Sequence, residues 1–338
     1  MMRRSFTISL LAAVVAVALA VPAGATRPAT PVREGLGIAR ILAPPSGSTF
    51  VETQLAEGEA AAAEGDERYP WIYERSATDR PDERTGRQIH VVYLIAAGMP
   101  DDRFDERGFL EDSARSMNHW TREETGNLQW RFDTYTFPWD DPATPEIDPV
   151  PVEGIDVTTI ESTRSSSQLN SVDLVEAELI SHGLNNPSKR YLSYVAANAG
   201  GVCGDAWYNF SPLPDNFDGQ YSDIYLYSSS GCRARDFAQS ATQPSFTETI
   251  AMQEMVHNDA MVPMVAPRNC IVSPLAFGHV CTGALWASPG LDPESTDVMF
   301  PYVGLPLNQK HLDTDHLDYF RHPFPYRDLE QSPYLETV

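Results

Sequence analysis

The sequence predicts an α/β (α+β) fold, in which a mixed sheet domain carries a motif-bearing helix and is followed by a loop-rich C-terminal part. Two observations predict it. From Arg87 to about Met261, patterns typical of strands alternate with patterns typical of amphipathic helices. After Pro263, Pro, Gly and Cys recur throughout the chain. Because about 250 ordered residues can bury one substantial core, we expect one domain over 87–338, with parts 87–261 and 262–338.

The strands and helices of this domain are predicted from residue type and spacing. Runs of β-branched and aromatic residues predict strands at 89–95, 128–137, 191–196 and 223–227. Apolar residues at helical spacing predict helices at 104–125, 169–184 and 247–261. The stretch between the last two strands is rich in Gly, Asn and Pro and contains Cys203, so it is predicted to be a loop.

The first 25 residues have the composition of a secretory signal peptide. Arg3 and Arg4 precede an apolar run from Ile8 to Val21, and Ala23-Gly24-Ala25 fits the small-residue cleavage rule. A membrane anchor is the weaker alternative, because the run is shorter than the ~20 residues that a spanning helix needs. We therefore expect a secreted, extracellular protein that does not insert into a membrane once the signal is removed.

Residues 26–86 differ from the rest in composition. Aromatic residues are scarce before Tyr69, and the stretch from Glu57 to Glu67 is rich in Ala and Glu. Such a composition is typical of chain that does not fold by itself. Two interpretations stay open, a flexible leader and a pro-segment.

The chain is strongly acidic. It has 47 Asp and Glu against 24 Lys and Arg, which gives a formal net charge of −23. Nucleic acids and anionic membranes would repel such a protein, so neither is expected as a partner. A second effect of the charge is to keep a secreted protein soluble.

The four cysteines suit an oxidising compartment. They allow three pairings, and their order along the chain favours two local bridges, Cys203–Cys232 and Cys270–Cys281. A zinc site built from cysteines is the alternative, but no C-x-x-C spacing supports it.

Residues Gln253 to His257 read Q-E-M-V-H, which is the zinc-peptidase motif H-E-x-x-H with its first histidine replaced by glutamine. On a helix, Gln253 and His257 are four residues apart and can face a common point, while Glu254 is about 100° further round. The pentapeptide alone is weak evidence, because an ordinary helical turn can also contain a Glu and a His.

Several short segments follow the motif in a fixed order. They are Asn258 to Pro263 (NDAMVP), Ala266 to Cys270 (APRNC), Gly278 to Thr282 (GHVCT), Thr296 to Tyr302 (TDVMFPY) and Leu312 to Phe320 (LDTDHLDYF). This series resembles a family of secreted zincin-like metallopeptidases from actinobacteria. In that family H-E-x-x-H-x-L-G-A-V-P precedes A-P-H-x-C, G-H-V-C-D, a D-[IVM]-[ML]-Y-P segment and an L-D-x-x-H-D-D-Y-Y tail. The resemblance extends from about Arg87 to Leu335.

The resemblance implies a zincin-like fold, a Zn²⁺ cofactor and hydrolysis of a peptide or protein. By position, Glu254 would be the general base, His257 a zinc ligand and Gln253 the occupant of the first ligand's place. His279 is either a further ligand or a loop histidine beside a disulfide. The segment from Asp297 to Met299 resembles a turn under the metal, with Met299 either the apolar floor of the site or a core residue.

The chain also departs from the family pattern, and the departures cluster around the motif. They are Gln253, Asp259, Ala260, Arg268, Thr282 and Leu317. A neutral amide is a poorer zinc ligand than imidazole, so the departures favour weakened or lost catalysis on a retained fold. Two hypotheses remain, a metallopeptidase of retained or reduced activity and a non-catalytic zincin-fold binding protein, or pseudo-peptidase. The sequence gives no oligomeric state.

Overall fold

A six-stranded mixed sheet organises the chain. The computed structural model describes residues 36–43, 69, 75–139, 149–209, 219–259, 262, 266–270, 278–281 and 296–338. All of them belong to one compact unit, Arg33–Val338. The described strands are β1 (Leu36–Leu42), β2 (Gln88–Ala97), β3 (Leu128–Trp130), β4 (Thr134–Trp139), β5 (Val150–Ile155), β6 (Val157–Ser165), β7 (Lys189–Ala196), β8 (Val202–Asn209), β9 (Tyr221–Tyr225) and β10 (Leu335–Thr337).

The order of strands in the main sheet is β1-β8-β9-β7-β2-β6. The four strands β9, β7, β2 and β6 are parallel to one another, whereas β8 pairs antiparallel with both β9 and β1. Parallel strands are covered on both faces, which is why β2 and β7 read as nearly continuous apolar runs. The mixed α/β class is therefore confirmed.

Helices cover both faces of the sheet. They are α1 (Phe109–Thr125), α2 (Val172–Ser181) and α3 (Phe246–Asp259). Side chains alternate along each strand, so Tyr93 and Tyr194 pack in one apolar cluster with α1 and α3, while Leu94 and Val195 pack in a second cluster with α2. The result is three layers, with α3 buried against β1, β8 and β9.

The predicted helices and three of the predicted strands are confirmed, with ends that differ by a few residues. The single strand predicted at 128–137 is wrong, because β3 and β4 are separate and pair with β10 and β5. Between them, Asp133 turns its carboxylate into the protein interior, where it accepts a hydrogen bond of 2.6 Å from Lys189 Nζ.

Besides β1, which lies in the predicted leader, two strands of the main sheet are not predicted by the sequence. The loop expected around Cys203 is instead β8, which a short turn through Gly200 joins to β7. Its composition of Gly, Asp, Ala and Asn hides the strand pattern. The other strand, β6, is rich in Thr and Ser and includes Glu161 and Arg164, so it lacks a continuous apolar run.

The structure bears on only one of the interpretations of the N-terminal residues, the flexible leader. Residues 1–25, the predicted signal peptide, lie outside the described residues. Within 26–86, the seven residues of β1 are not a flexible leader, because they pair with β8 from Leu36↔Asn209 to Leu42↔Val202. The pro-segment interpretation stays a prediction.

Two disulfides confirm the favoured pairing. Cys203–Cys232 and Cys270–Cys281 join Cα atoms 5.2 Å and 5.0 Å apart. In the described portions beyond residue 262, β10 and two short 3₁₀ helices are the regular elements, as the loop-rich prediction requires. No helix in the described ranges is both long and apolar enough to cross a membrane.

Candidate functional site

Helix α3 places the predicted motif in the protein interior. The side chains of Gln253, Glu254 and His257 are all fully buried. The helix begins with a capping contact, in which Ser245 N donates to Glu248 Oε2 over 2.8 Å. It lies close to the sheet at Gly204, where a Cβ atom would come within 2.7 Å of Ile250 Cγ2 and 3.0 Å of Glu254 Cγ. Glycine at this position allows Glu254 to lie against the sheet.

The structure brings together two of the predicted ligands, which are 22 residues apart in the chain. His257 Nε2 and His279 Nε2 lie 3.2 Å from each other, and both side chains are buried. The two rings meet edge to face, with centroids 4.6 Å apart and an angle of 79° between their planes. The two Nε2 atoms are therefore in direct contact.

His279 is held by its backbone and by a disulfide. Its carbonyl accepts a hydrogen bond from Cys270 N over 3.0 Å, and the neighbouring Val280 N donates to Met299 O over 2.9 Å. The Cys270–Cys281 bridge closes this short double-stranded segment. On the other side Gly278 leaves room for the His257 ring, because a Cβ atom there would lie 3.3 Å from His257 Cε1.

The spacing of the two imidazoles suits a shared ion. Two ligands of a tetrahedral zinc ion, each about 2.0–2.1 Å from the metal, lie about 3.3 Å from one another. A shared hydrogen bond between one protonated and one unprotonated ring nitrogen is the other arrangement that this distance allows. Burial, followed by the nearby His279, lowers the pKa of His257 well below its usual range. The ring is therefore neutral, which is the form that binds metals.

Gln253 offers an amide oxygen on the same side of α3 as His257. Its Nε2 donates to Phe300 O over 3.2 Å, which fixes the orientation of the amide. Its Oε1 is buried and has no hydrogen-bond partner among the described residues. A buried polar atom without a partner is costly, so a third donor to a metal at this place fits the chemistry of the side chain.

One carboxylate oxygen of Glu254 accepts a hydrogen bond, and the other has no hydrogen-bond partner among the described residues. Oε1 accepts a hydrogen bond of 3.3 Å from Ile41 N in β1. Oε2 is buried and makes no hydrogen bond within the described part of the chain. Burial, and next the charge of Asp205, raises the pKa of Glu254 well above its usual range. A raised pKa is the property expected of a group that exchanges protons.

Asp297 and Met299 form the turn beside the site. Asp297 Oδ1 accepts hydrogen bonds from Met299 N over 2.8 Å and from the Tyr319 hydroxyl over 2.7 Å. Burial raises the pKa of Asp297 to about 7. The Met299 side chain belongs to the apolar core that also contains Val256, and the carbonyl of Met299 holds Val280. Its packing is that of a core residue.

A second group of possible metal ligands lies elsewhere, and the sequence did not predict it. Among the described residues, donor atoms of Asp79, His90, Asp133 and Asp156 all lie within 4.8 Å of one another and could hold a metal ion. The signal in the sequence that could have pointed to this group is Lys189, one of only two lysines in the chain. Its Nζ, which is buried, lies 2.6 Å from both Asp79 Oδ1 and Asp133 Oδ2.

Lys189 already supplies a positive charge to this acidic group. Burial by itself would lower the pKa of Lys189, but hydrogen bonds to Asp133, Asp79 and Asp82 outweigh burial and raise it. The carboxylate of Asp156 is paired in the same way with Arg80. A metal would have to displace these cations, so the pair formed by His257 and His279 is the better candidate for a metal centre.

Comparison of the chain with models of known protein families, with curated proteins and with solved structures finds no match.

Proposed function

We propose that the protein is a secreted, zincin-like and zinc-dependent metallopeptidase-like hydrolase whose metal centre is formed by His257, His279 and Gln253. The observation that carries the proposal is the distance of 3.2 Å between the Nε2 atoms of two buried histidines, one of which, His257, follows Glu254 by three residues on α3. The substrate class is a peptide or protein, by the resemblance of the motif segments. The two disulfides are consistent with an extracellular protein.

Zinc in such a site supplies Lewis acidity, which polarises a carbonyl group and lowers the pKa of a water molecule. The protein's own residues then bind and move protons. Glu254 Oε2 accepts a proton from the attacking water and afterwards donates it to the nitrogen of the leaving amine. One water is consumed, one C–N bond breaks, and the products are a carboxylic acid and an amine.

Gln253 limits how tightly the proposed centre holds its metal. Its donor is a neutral amide oxygen, whereas zinc favours imidazole nitrogen, thiolate sulfur and carboxylate oxygen. Weak binding and slow hydrolysis are therefore the expected properties of the natural sequence. Gln253→His should tighten zinc binding, since it restores the missing imidazole.

Zinc titration of single-site variants tests the metal centre. His257→Ala and His279→Ala should each weaken zinc binding by at least about 10–100-fold. Losing a residue that only supports a ligand already has an effect of this size, and losing the ligand itself should have a larger one. His119→Ala is the matched control, because His119 lies on α1, is partly exposed and pairs with Glu123. Equal zinc affinity in all three variants would overturn the proposed centre.

Hydrolysis is tested by Glu254→Gln, which keeps an oxygen that can accept from Ile41 N but removes the base. Chelator-sensitive cleavage of an unfolded protein substrate should fall to the background rate in this variant, while zinc binding persists. Unchanged cleavage would show that Glu254 is not the general base.

A second candidate function is a non-catalytic zincin-fold binding protein. Two observations favour it, the amide of Gln253 and the hydrogen bond that engages Glu254 Oε1 with Ile41 N. This candidate predicts zinc binding through His257 and His279 with equal, background cleavage by the natural protein and by Glu254→Gln. The two assays together therefore separate the two functions.

A further inference from the structure

We infer that β1 is a displaceable cover that closes the site on α3 and keeps Glu254 from water. The inference rests on the proposed function, because it assigns a regulatory role at that same site. The relevant segment is short, seven residues from Leu36 to Leu42, and it is separated by 45 residues from β2, the next strand of the main sheet.

The first step is the position of β1 at the end of the sheet. It forms a ladder with β8, and on its far side the described residues pair with it only at Leu42, which makes an isolated bridge with Tyr302. Each internal strand of this sheet is instead held by two neighbours. An edge strand loses only one ladder when it leaves, so it opens at a lower free energy than the strands in the centre.

The second step is the contact between β1 and Glu254. The pairing register shifts between Ile41 and Leu42, so an irregularity interrupts the ladder at the place where Ile41 lies opposite Gly204. There Ile41 N donates to Glu254 Oε1 over 3.3 Å. The side chains of Ala39 and Ile41 are buried, and Glu254 has no exposed surface. While β1 is in place, the carboxylate cannot serve a water molecule from solvent.

The third step is the contact between the end of β1 and the segment from Phe300 to Val303, which lies across the site from β8. Leu42 N donates to Pro301 O over 3.2 Å, and Leu42 O accepts from Val303 N over 3.2 Å. Pro301 follows Phe300, whose carbonyl holds the amide of Gln253. Thus β1 links β8 to the segment that supports the proposed metal centre, and it crosses Glu254 between them.

Hydrogen exchange of the natural protein tests whether β1 opens by itself. Backbone amides of residues 38–42 should exchange at least roughly 100-fold faster than the amides of β7, and the amides of β8 should show intermediate protection. Exchange of β1 at the rate of β7 would show that β1 leaves only on global unfolding, and would overturn the inference. This readout needs neither zinc nor hydrolysis, so its failure is distinct from failure of the proposed function.

A matched pair of substitutions tests whether β1 covers the site. Ile41→Pro removes the N–H that binds Glu254, whereas Ile41→Ala shortens the side chain and keeps the N–H. A dye-labelled peptide with the sequence of residues 36–42 should bind the Pro variant at least about tenfold more tightly than the Ala variant, since only the Pro variant loses the hydrogen bond that ties β1 to Glu254. Equal binding by both would contradict the cover.

The same variants link the cover to activity. Ile41→Pro should raise chelator-sensitive peptide cleavage by about tenfold over Ile41→Ala, and the added Glu254→Gln should abolish the gain. If peptide binding rises but no variant cleaves, the cover stands and the hydrolase proposal falls. If Ile41→Pro does not fold, the exchange rates of the natural protein decide the matter.

Discussion

At the scale of single residues, Asp259, which departs from the pattern of the family that the chain resembles, has a structural role. Asp259 ends α3 and is fully buried, and its Oδ1 lies 2.5 Å from both Arg190 Nη1 and Ser332 Oγ. Arg190 also donates to Asn258 O over 2.8 Å and stacks on the Tyr334 ring at 3.9 Å. Asp259 thus anchors the C-terminal end of the motif helix to β7 and to the chain terminus, a role that the sequence comparison could not reveal.

Asp259→Asn should destabilise the protein. The substitution leaves the buried guanidinium of Arg190 without its counter-charge, and breaking a buried ion pair on one side costs about 3–5 kcal/mol. Urea unfolding measures the loss. The control is Glu330→Gln, because its exposed pair with Arg321 should contribute less than about 1 kcal/mol. Similar unfolding free energies for both variants would contradict the anchoring role.

Another residue, Glu248, should make stability depend on pH. Its carboxyl caps α3, and burial raises its pKa to about 7 from an ordinary value of 4.5. A group whose pKa is raised on folding stabilises the protein below its unfolded pKa, and this contribution is lost as pH rises through the folded pKa. The window is therefore about pH 4.5 to 7. Burial raises the pKa of Asp205 to about 6 in the same sense.

Glu248→Gln should flatten the pH dependence. As pH rises from 5 to 8, the natural protein should lose the contribution of Glu248 to its unfolding free energy, and the variant should not. The fall in unfolding free energy should therefore be smaller in the variant by roughly 2–3 kcal/mol, since one pKa unit corresponds to about 1.4 kcal/mol. Chemical unfolding at each pH is the measurement. Parallel curves for the two proteins would show that Glu248 titrates normally.

At the scale of elements, the two disulfides have different neighbours and should have different effects. Cys270–Cys281 closes the segment that carries His279, whereas Cys203–Cys232 ties the start of β8 to the loop after β9. The first bridge therefore positions a proposed ligand. The second contributes chiefly to the stability of the sheet.

Removing each bridge in turn separates these roles. The double variant Cys270→Ala with Cys281→Ala should weaken zinc binding by about 10–100-fold, the usual cost of losing support for a ligand. Cys203→Ala with Cys232→Ala should lower the unfolding free energy by about 2–5 kcal/mol and change zinc affinity much less. Calorimetric zinc titration of both variants is the test, and equal losses of affinity would contradict the assignment.

The elements differ in how well the sequence predicted them, for physical reasons. Buried parallel strands such as β2 carry their apolar pattern in the chain itself, and α1 has a clear helical stripe in Leu110, Ala114 and Met117. The strand β8 contains Gly204 and Asp205, which strands usually avoid. They are tolerated because α3 lies against the glycine and because the carboxylate accepts from Tyr225 and Val172.

At the scale of the whole molecule, contacts between residues that are distant in the chain form the candidate site. The sequence alone could not predict these contacts. The motif predicted Gln253, Glu254 and His257 on one helix, and helical geometry was enough for that. The contact between Ile41 and Glu254 joins residues 213 apart, and no local pattern in β1 indicates it. The acidic group around Lys189 likewise gathers residues from four separate segments.

The contact between His257 and His279 was predicted in part from the sequence. The resemblance of the Gly-His-Val-Cys segment pointed to His279, but a loop histidine near a disulfide was an equal interpretation. The structure places the two Nε2 atoms 3.2 Å apart, and it does so through the backbone bonds of Val280 and the Cys270–Cys281 bridge. Three-dimensional packing therefore brings His279 to the motif histidine, and its role as a zinc ligand stays a prediction.

Zinc K-edge X-ray absorption of the zinc-loaded mature protein tests the proposed centre most directly. We expect one zinc per chain with two imidazole nitrogens at about 2.0–2.1 Å and oxygen as the remaining donors. The imidazole contribution should fall to one in His279→Ala and stay at two in His119→Ala. A spectrum without imidazole scattering, or one that His279→Ala leaves unchanged, would contradict a zinc centre at His257 and His279.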